Sequence, residues 1–413
     1  MSAGGPPAPP AHRDPNVLRW LAAYAASVTG DAMYFLALTW TATRIAGPSA
    51  AGLVVMAAAL PRALLMLGGG VVADRFGPRR IAVVSDATRC LATLAAAAAL
   101  LAAPPGPVPL IAVAVVFGAV DAVFMPAVGA LPPRLTAPDQ LARVQGMRGL
   151  AIRLGNLAGP LAAGAALASA GAAGTFVIAA VLFATSLPLL LTVRLRPLPG
   201  GPPAPGTAWR DLLDGLRHIR RHPTLAPLVA VVALSEMCFS GPVAAGLVLL
   251  ADERGWGAAG MGWIVGAFSV GGAAAGLLLT LAVRVPRAGP VLSGTLCATA
   301  VCTVALGHAA ALPTAVLLGA LTGLTTGITM AVTGALVQGE TDPRYLGRVT
   351  SVTTLGTLGL APVVFPVVGL TVDRWGAAAF FTGCGAVCLL AAVLATASPA
   401  LRRAALGPPG EAA

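Results

Sequence analysis

Apolar residues fill this chain in long unbroken runs, not at every third or fourth position. Crossing the hydrocarbon of a bilayer takes roughly 20 apolar residues in helical form. On that scale the runs predict twelve spans: 17–43, 50–72, 80–103, 108–131, 144–168, 173–193, 224–250, 257–283, 288–308, 311–337, 348–372 and 376–398. Short polar or Pro- and Gly-rich turns separate them. One connection is longer, from Arg194 to Pro223, and its second part is amphipathic, with Leu212, Leu213, Leu216 and Ile219 on one helical face. The pattern predicts an all-α membrane protein with a tail (1–16), six spans (17–193), a linker (194–223), six more spans (224–398) and a second tail (399–413).

The second set of spans echoes the first. A shift of 205 positions brings Pro138 onto Pro343, Leu141 onto Leu346, Arg143 onto Arg348 and Val144 onto Val349. It also brings Gly164 onto Gly369, Gly171 onto Gly376 and Phe176 onto Phe381. Spans 5 and 11 start from the same side, so the repeat is parallel. Parallel repeats about an axis along the membrane normal suit transporters that rock around a central site.

Composition supports lipid as the solvent. Of 413 residues, 57% are hydrophobic and 10% charged, against about 25% charged in an average soluble domain. All 26 basic residues are Arg. Nineteen lie in one set of alternate loops and tails, and only Arg44, Arg254 and Arg374 in the other. Basic loops stay on the cytoplasmic side, so both termini are expected inside. The Arg-, Ala-, Gly- and Pro-rich composition points to a bacterial inner membrane. The net charge of +11 does not point to nucleic acid, because no basic patch is interleaved with aromatics. Cys90, Cys238, Cys297, Cys302, Cys384 and Cys388 all fall in apolar runs without His partners, and read as packing residues. No metal cluster, nucleotide loop or nucleophile turn is visible. The chain is therefore expected to be no enzyme and to need no cofactor or metal.

Ionisable residues inside a bilayer are costly and mark function or a fixed partner. Asp31, Asp121, Glu236 and Arg153 fall well inside predicted spans. A carboxylate there can carry a proton, attract a cationic cargo, or pair permanently with an Arg. Arg153 is a candidate partner for Asp121. Asp86 and Arg89, three apart, read as a local structural ion pair, and Arg62, beside Pro61, as structural too. Buried amides are scarce, Asn156 being the obvious one, which suits a hydrophobic or amphipathic cargo.

The turn after span 2 holds Gly70, Asp74, Arg75, Gly77, Arg79 and Arg80. An acid among arginines can pair in one conformation only, which makes a gate latch. This turn resembles the Gly-x-x-x-Asp-Arg/Lys-x-Gly motif of the major facilitator superfamily, with Pro78 in place of the first following basic residue. The superfamily's second copy is reduced here to Arg284-Val-Pro-Arg287. Span 5 carries Gly155, Gly159, Pro160 and Gly164, which resembles the Gly-x-x-x-Gly-Pro-x-x-x-Gly motif of the superfamily's drug antiporters. Arg19-Trp20 and Ser27-Val-Thr-Gly30-Asp31 resemble the opening of the multidrug, macrolide and siderophore efflux branch. The resemblance implies the two-repeat fold, alternating access, and proton-coupled export of small molecules by a monomer. It also implies that spans 1, 4 and 7, with Asp31, Asp121 and Glu236, line a central cavity. Span 4 departs from many proton-coupled members in having no Arg.

Overall fold

The computed structural model describes residues 12–102, 106–136, 140–196, 208–239, 242–281, 288–341 and 345–404. In chain order the elements are α1 (Pro15–Phe76), α2 (Pro78–Ala102), α3 (Pro107–Gly129), α4 (Pro132–Leu135), α5 (Leu141–Thr192), α6 (Ala208–Arg221), α7 (Leu225–Phe239), α8 (Pro242–Glu253), α9 (Gly257–Leu281), α10 (Ala288–Gly307), α11 (Leu312–Glu340), α12 (Leu346–Ala397) and α13 (Pro399–Arg403). The described residues form no strand. They include nine helical stretches long and apolar enough to cross a membrane.

Three helices are double length, and each turns at one glycine. Gly47 in α1 has φ 82° and ψ 176°, Gly171 in α5 has φ 66° and ψ −173°, and Gly376 in α12 has φ 81° and ψ 166°. Positive φ at these angles is open to glycine at no steric cost. The short loops expected between spans 1 and 2, 5 and 6, and 11 and 12 are thus single-residue reversals. In α5 the two limbs run back beside one another. Gly159 on one limb touches Ala32, and Phe183 on the other touches Gly30. With each doubled helix counted as a hairpin, the architecture accords with twelve crossings. Span 7 is carried by α7 and α8, which flank residues 240–241, outside the described residues.

The internal repeat is structural. α5 and α12 each span 52 residues, are offset by the same 205 positions, and bend at Gly171 and Gly376. Val144, Val349, Phe176 and Phe381 are all fully buried. A further matched pair is Gly118 and Gly323. Each lies so close to a neighbouring carbonyl, of Ala58 and Phe268 respectively, that no side chain fits.

The amphipathic linker segment forms α6. Ile219 is buried with Leu225, Leu228 and Leu292, whereas Leu216 is exposed. The side chains of Leu212 and Leu213 lie outside the described residues. The His218 ring stacks on Tyr345 at 4.2 Å, so α6 rests on the second repeat.

The two ends of the bundle differ. At the glycine-bend end the repeats meet. A Cβ built at Gly164 would lie 2.7 Å from the Gly262 Cα, and one at Gly52 would lie 2.7 Å from the Phe365 carbonyl oxygen. Arg44 pairs with Asp252 at 3.3 Å, and the Ser49 hydroxyl donates to Asp373 at 2.6 Å. At the arginine-rich end the hydrogen bonds among the described residues stay within a repeat. Asn16 and Arg194 exchange two hydrogen bonds of 2.7 Å, and Arg79 donates to the Val193 carbonyl at 2.8 Å.

Candidate functional site

Near the middle of α2, Arg89 is fully buried. Three helices bring carboxylates to it. Asp86, one turn earlier on α2, lies 3.4 Å away, and Asp31 on α1 also 3.4 Å away. Asp121 on α3 makes the tightest contact, a direct hydrogen bond from the guanidinium. The second limb of α1 adds Arg62, 3.8 Å from Asp121. Asp86 is itself fully buried and accepts hydrogen bonds from Ser27 on α1, at 2.5 Å, and from Ser186 on α5. Phe124 lies under the Arg89 guanidinium at 3.9 Å, a contact between a cation and the negative face of the ring. Tyr34 stacks on Phe117 at 3.6 Å next to the cluster.

Three carboxylates thus surround two guanidiniums. The carboxylates are not held alike. Hydrogen bonds to charged groups each contribute about 1.5–3 kcal/mol. Asp86 receives three from side chains, and Asp121 sits between two arginines. Asp31 has one arginine, and its Oδ1 is buried with no donor among the described residues. The Asp31 side chain is 33% exposed, so it borders open space.

The structure therefore joins Asp31 to Asp121, but through Arg89. Arg153 does not pair with Asp121, which is a correction to the expectation. Its guanidinium donates to the Gly272 carbonyl of α9 at 3.2 Å, across the two repeats. The reason is its face on α5, which turns toward α9. The Asp86–Arg89 pair exists as a local contact, yet it is also the hub of the cluster, and Arg62 belongs to it. Glu236 is half-buried on α7, in the second repeat. Ser186, Phe124, the bond from Ser27 to Asp86 and the hub role of Arg89 escaped the sequence reading. The available signal was an arginine in mid-span: the cost of such a charge calls for more than one neighbour on its own helix.

The α5 glycine motif divides its contacts. A Cβ at Gly155 would lie 2.8 Å from Val28, and one at Gly159 would lie 2.5 Å from Ala32, both on α1. Gly164 faces the other repeat, as does the Pro160 carbonyl, 3.0 Å from a Cβ built at Gly262. In the turn after α1, Gly77 has φ 87°, which explains its residue type, and Arg75 and Arg80 are exposed. The surroundings of Gly70 and Asp74 lie outside the described residues, as do Arg284 and Arg287. The six cysteines form no disulfide, and no metal-ligand group occurs among the described residues.

A charged cluster buried within the first of two parallel repeats, in an apolar bundle whose repeats touch at one end, suits a multi-pass membrane transporter. The chain belongs to the Major Facilitator Superfamily, whose family model matches residues 20–280 and 237–412. It is similar to the multidrug efflux pump Tap of Mycobacterium tuberculosis, with 24% identity over 92% of this chain and 93% of that protein. It is also similar to the enterobactin exporter EntS of Shigella boydii, 26% identical over 50% of this chain and 49% of that protein. Among solved structures, a D-xylose–proton symporter matches with a TM-score of 0.73 and 14% identity, covering 94% of this chain and 99% of the symporter; at that identity the likeness shows the fold alone.

Proposed function

We propose that the protein exports small hydrophobic or amphipathic compounds from a bacterial cell in exchange for protons, by alternating access. The observation that carries this reading is the charge of the buried cluster, in which three carboxylates face two guanidiniums. One proton neutralises the remaining charge, and a neutral cluster is far cheaper to enclose in an apolar bundle. Asp31 takes that proton, because it is the acid with the fewest donors and the most open side. Asp121 holds Arg89 and Arg62 in place, and Asp86 ties α1, α2 and α5 together through Ser27 and Ser186. Glu236 borders the same passage from the second repeat, and Asp74 latches the cytoplasmic turn with Arg75, Arg79 and Arg80.

The direction rests on relatives and on the α5 motif. Tap is named an efflux pump and EntS an exporter. Gly164 of the motif seals the glycine-bend end against Gly262. With the arginine-rich end inside, that end faces outward and cargo enters from the cytoplasm. Both termini are cytoplasmic, residues 17–193 and 224–398 form the two moving bodies, and one chain suffices. The second reading is an uptake permease or uncoupled facilitator on the same frame, favoured by the absence of an Arg from span 4.

The test is accumulation of lipophilic dyes and macrolides in a drug-sensitive bacterium, with and without a protonophore. Export is expected to lower accumulation, to vanish with the protonophore, and to be lost in Asp31→Asn and weakened in Asp121→Asn. Glu236→Gln and Asp74→Asn are expected to slow it. Export indifferent to the protonophore and to Asp31→Asn would overturn proton coupling.

A further inference from the structure

Helices α5 and α9 face each other across the two repeats, and their spacing changes along their length. Near the glycine bend their backbones touch, at Gly164 and Gly262. Further in, an aliphatic side chain fills the gap: a Cβ at Gly266 would lie 2.7 Å from Leu161. Further still, an arginine is needed to bridge it. Arg153 reaches the Gly272 carbonyl, and a Cβ at Gly276 would lie 2.5 Å from its guanidinium. The two helices form a wedge that opens toward the arginine-rich end, and the Arg153 guanidinium bridges it against Gly272 and Gly276.

The surroundings of Arg153 suit recognition rather than structure. It is exposed. It enters no ion pair among those found between described residues, in contrast to Arg89 and Arg62. One carbonyl accepts one of its five donors. Gly272 and Gly276 leave the opposite wall without side chains. Asn156 follows Arg153 by three residues and Pro160 by seven, so the three share one face of α5. Asn156 is exposed as well. A guanidinium and an amide on one face present a fork of donors matched to the two oxygens of a carboxylate.

We infer that Arg153 and Asn156 form the anchor for an acidic group on the cargo, a carboxylate or a comparable organic anion borne on an apolar body. The inference deepens the transport reading and rests on it for the path of the cargo. The acid docks on α5 at the mouth of the wedge, while its apolar part lies against the aliphatic walls of the passage. A cationic or neutral compound lacks that anchor. The preference is thus set on the second wall of the passage, away from the Asp31–Arg89 cluster that handles the proton.

Binding separates this inference from export. Purified protein in lipid nanodiscs is titrated with a dansyl fatty acid and with its methyl ester, and empty nanodiscs are subtracted. A charged hydrogen bond of about 1.5–3 kcal/mol predicts that wild type binds the acid about ten- to a hundredfold tighter than the ester. Arg153→Gln is expected to abolish the difference, Arg153→Lys to keep part of it, and Asn156→Leu to reduce it. Equal binding of acid and ester by wild type, or a preference that survives Arg153→Gln, would overturn the anchor. Arg153→Gln weakening both ligands equally would also overturn it, by making the residue structural. Failure of gradient-driven export with the acid preference intact would strike the exporter reading and leave the anchor standing.

Discussion

The two repeats share a frame but not an interior. At the offset of 205 positions, Asp31 matches Glu236, Asp121 matches Thr326, Phe117 matches Thr322 and Phe124 matches Thr329. Arg89, the hub of the first repeat, matches Gly294. Where the first repeat binds α1, α2, α3 and α5 around buried charges, the second has threonines that return their hydroxyls to their own helix. Thr322 donates to Leu318, Thr329 to Thr325 and Thr333 to Thr329. Among the described residues one of these threonine bonds crosses between helices, from Thr329 to Thr295 at 3.0 Å. The comparison teaches that backbone packing, fixed by matched glycines and buried aromatics, leaves the interior chemistry of each repeat free to specialise. Among the described residues the buried ion-pair cluster lies in the first repeat, while the second keeps the carboxylate of Glu236 in mid-span. The second is held by apolar packing, by threonine hydroxyl bonds and, at its glycine-bend end, by the Glu253 carboxylate, which accepts from the Ala377 N–H at 2.5 Å.

The sharpest way to break that contrast is Arg89→Gln. Removing one partner of a buried ionic group leaves the rest uncompensated, at a cost of about 3–5 kcal/mol. Thermal unfolding in detergent is expected to show a large fall in melting temperature. A loss of similar size from Thr329→Val would erase the distinction between the repeats. Next comes the seam where the repeats meet. Gly164→Ala places a methyl against backbone atoms of Gly262 and Ala258 that cannot rotate away. Overpacking of this kind costs about 1–3 kcal/mol, which shifts the closed state toward one open at the glycine-bend end. Maleimide labelling from outside, at a reporter substitution Ala168→Cys, is expected to speed up. Unchanged labelling would show that the close approach does not govern closure. Thr329→Val removes one hydroxyl bond between helices, for a loss of about 1 kcal/mol in the same unfolding assay. The smallest effect belongs to Arg44→Ala. That side chain is 65% exposed, and exposed ion pairs contribute about 0–1 kcal/mol. A melting shift comparable to that of Arg89→Gln would contradict the placement of the stabilising charges.

Much of the fold was legible because lipid imposes a simple rule on sequence: long apolar runs become helices. The repeat was legible for a different reason. Gly171 and Gly376 supply positive φ at matched bends, and Gly164 and Gly369 sit where backbones meet across the repeats. What the runs hid was continuity. A single glycine reverses the chain without a polar loop, so spans 5 and 6 form one folded helix. At the site, Asp31 and Asp121 stood out as isolated acids in apolar surroundings. Arg89 did not, because Asp86 three residues earlier offered a complete local explanation. Which other helices converge on a guanidinium is set by tertiary packing, and spacing along one helix carries no trace of it. Arg153 was legible as an intramembrane charge, but not its partner, since its face on α5 is decided by the glycine contacts of its neighbours.

The central claim is that Asp31 exchanges one proton for cargo. The most direct measurement counts protons released by the purified protein, in weakly buffered solution with a pH dye, as cargo is added to saturation. The account predicts one proton per cargo molecule for wild type, and none for Asp31→Asn, which still binds cargo. Equal release from wild type and Asp31→Asn would contradict it and move the exchange to another acid.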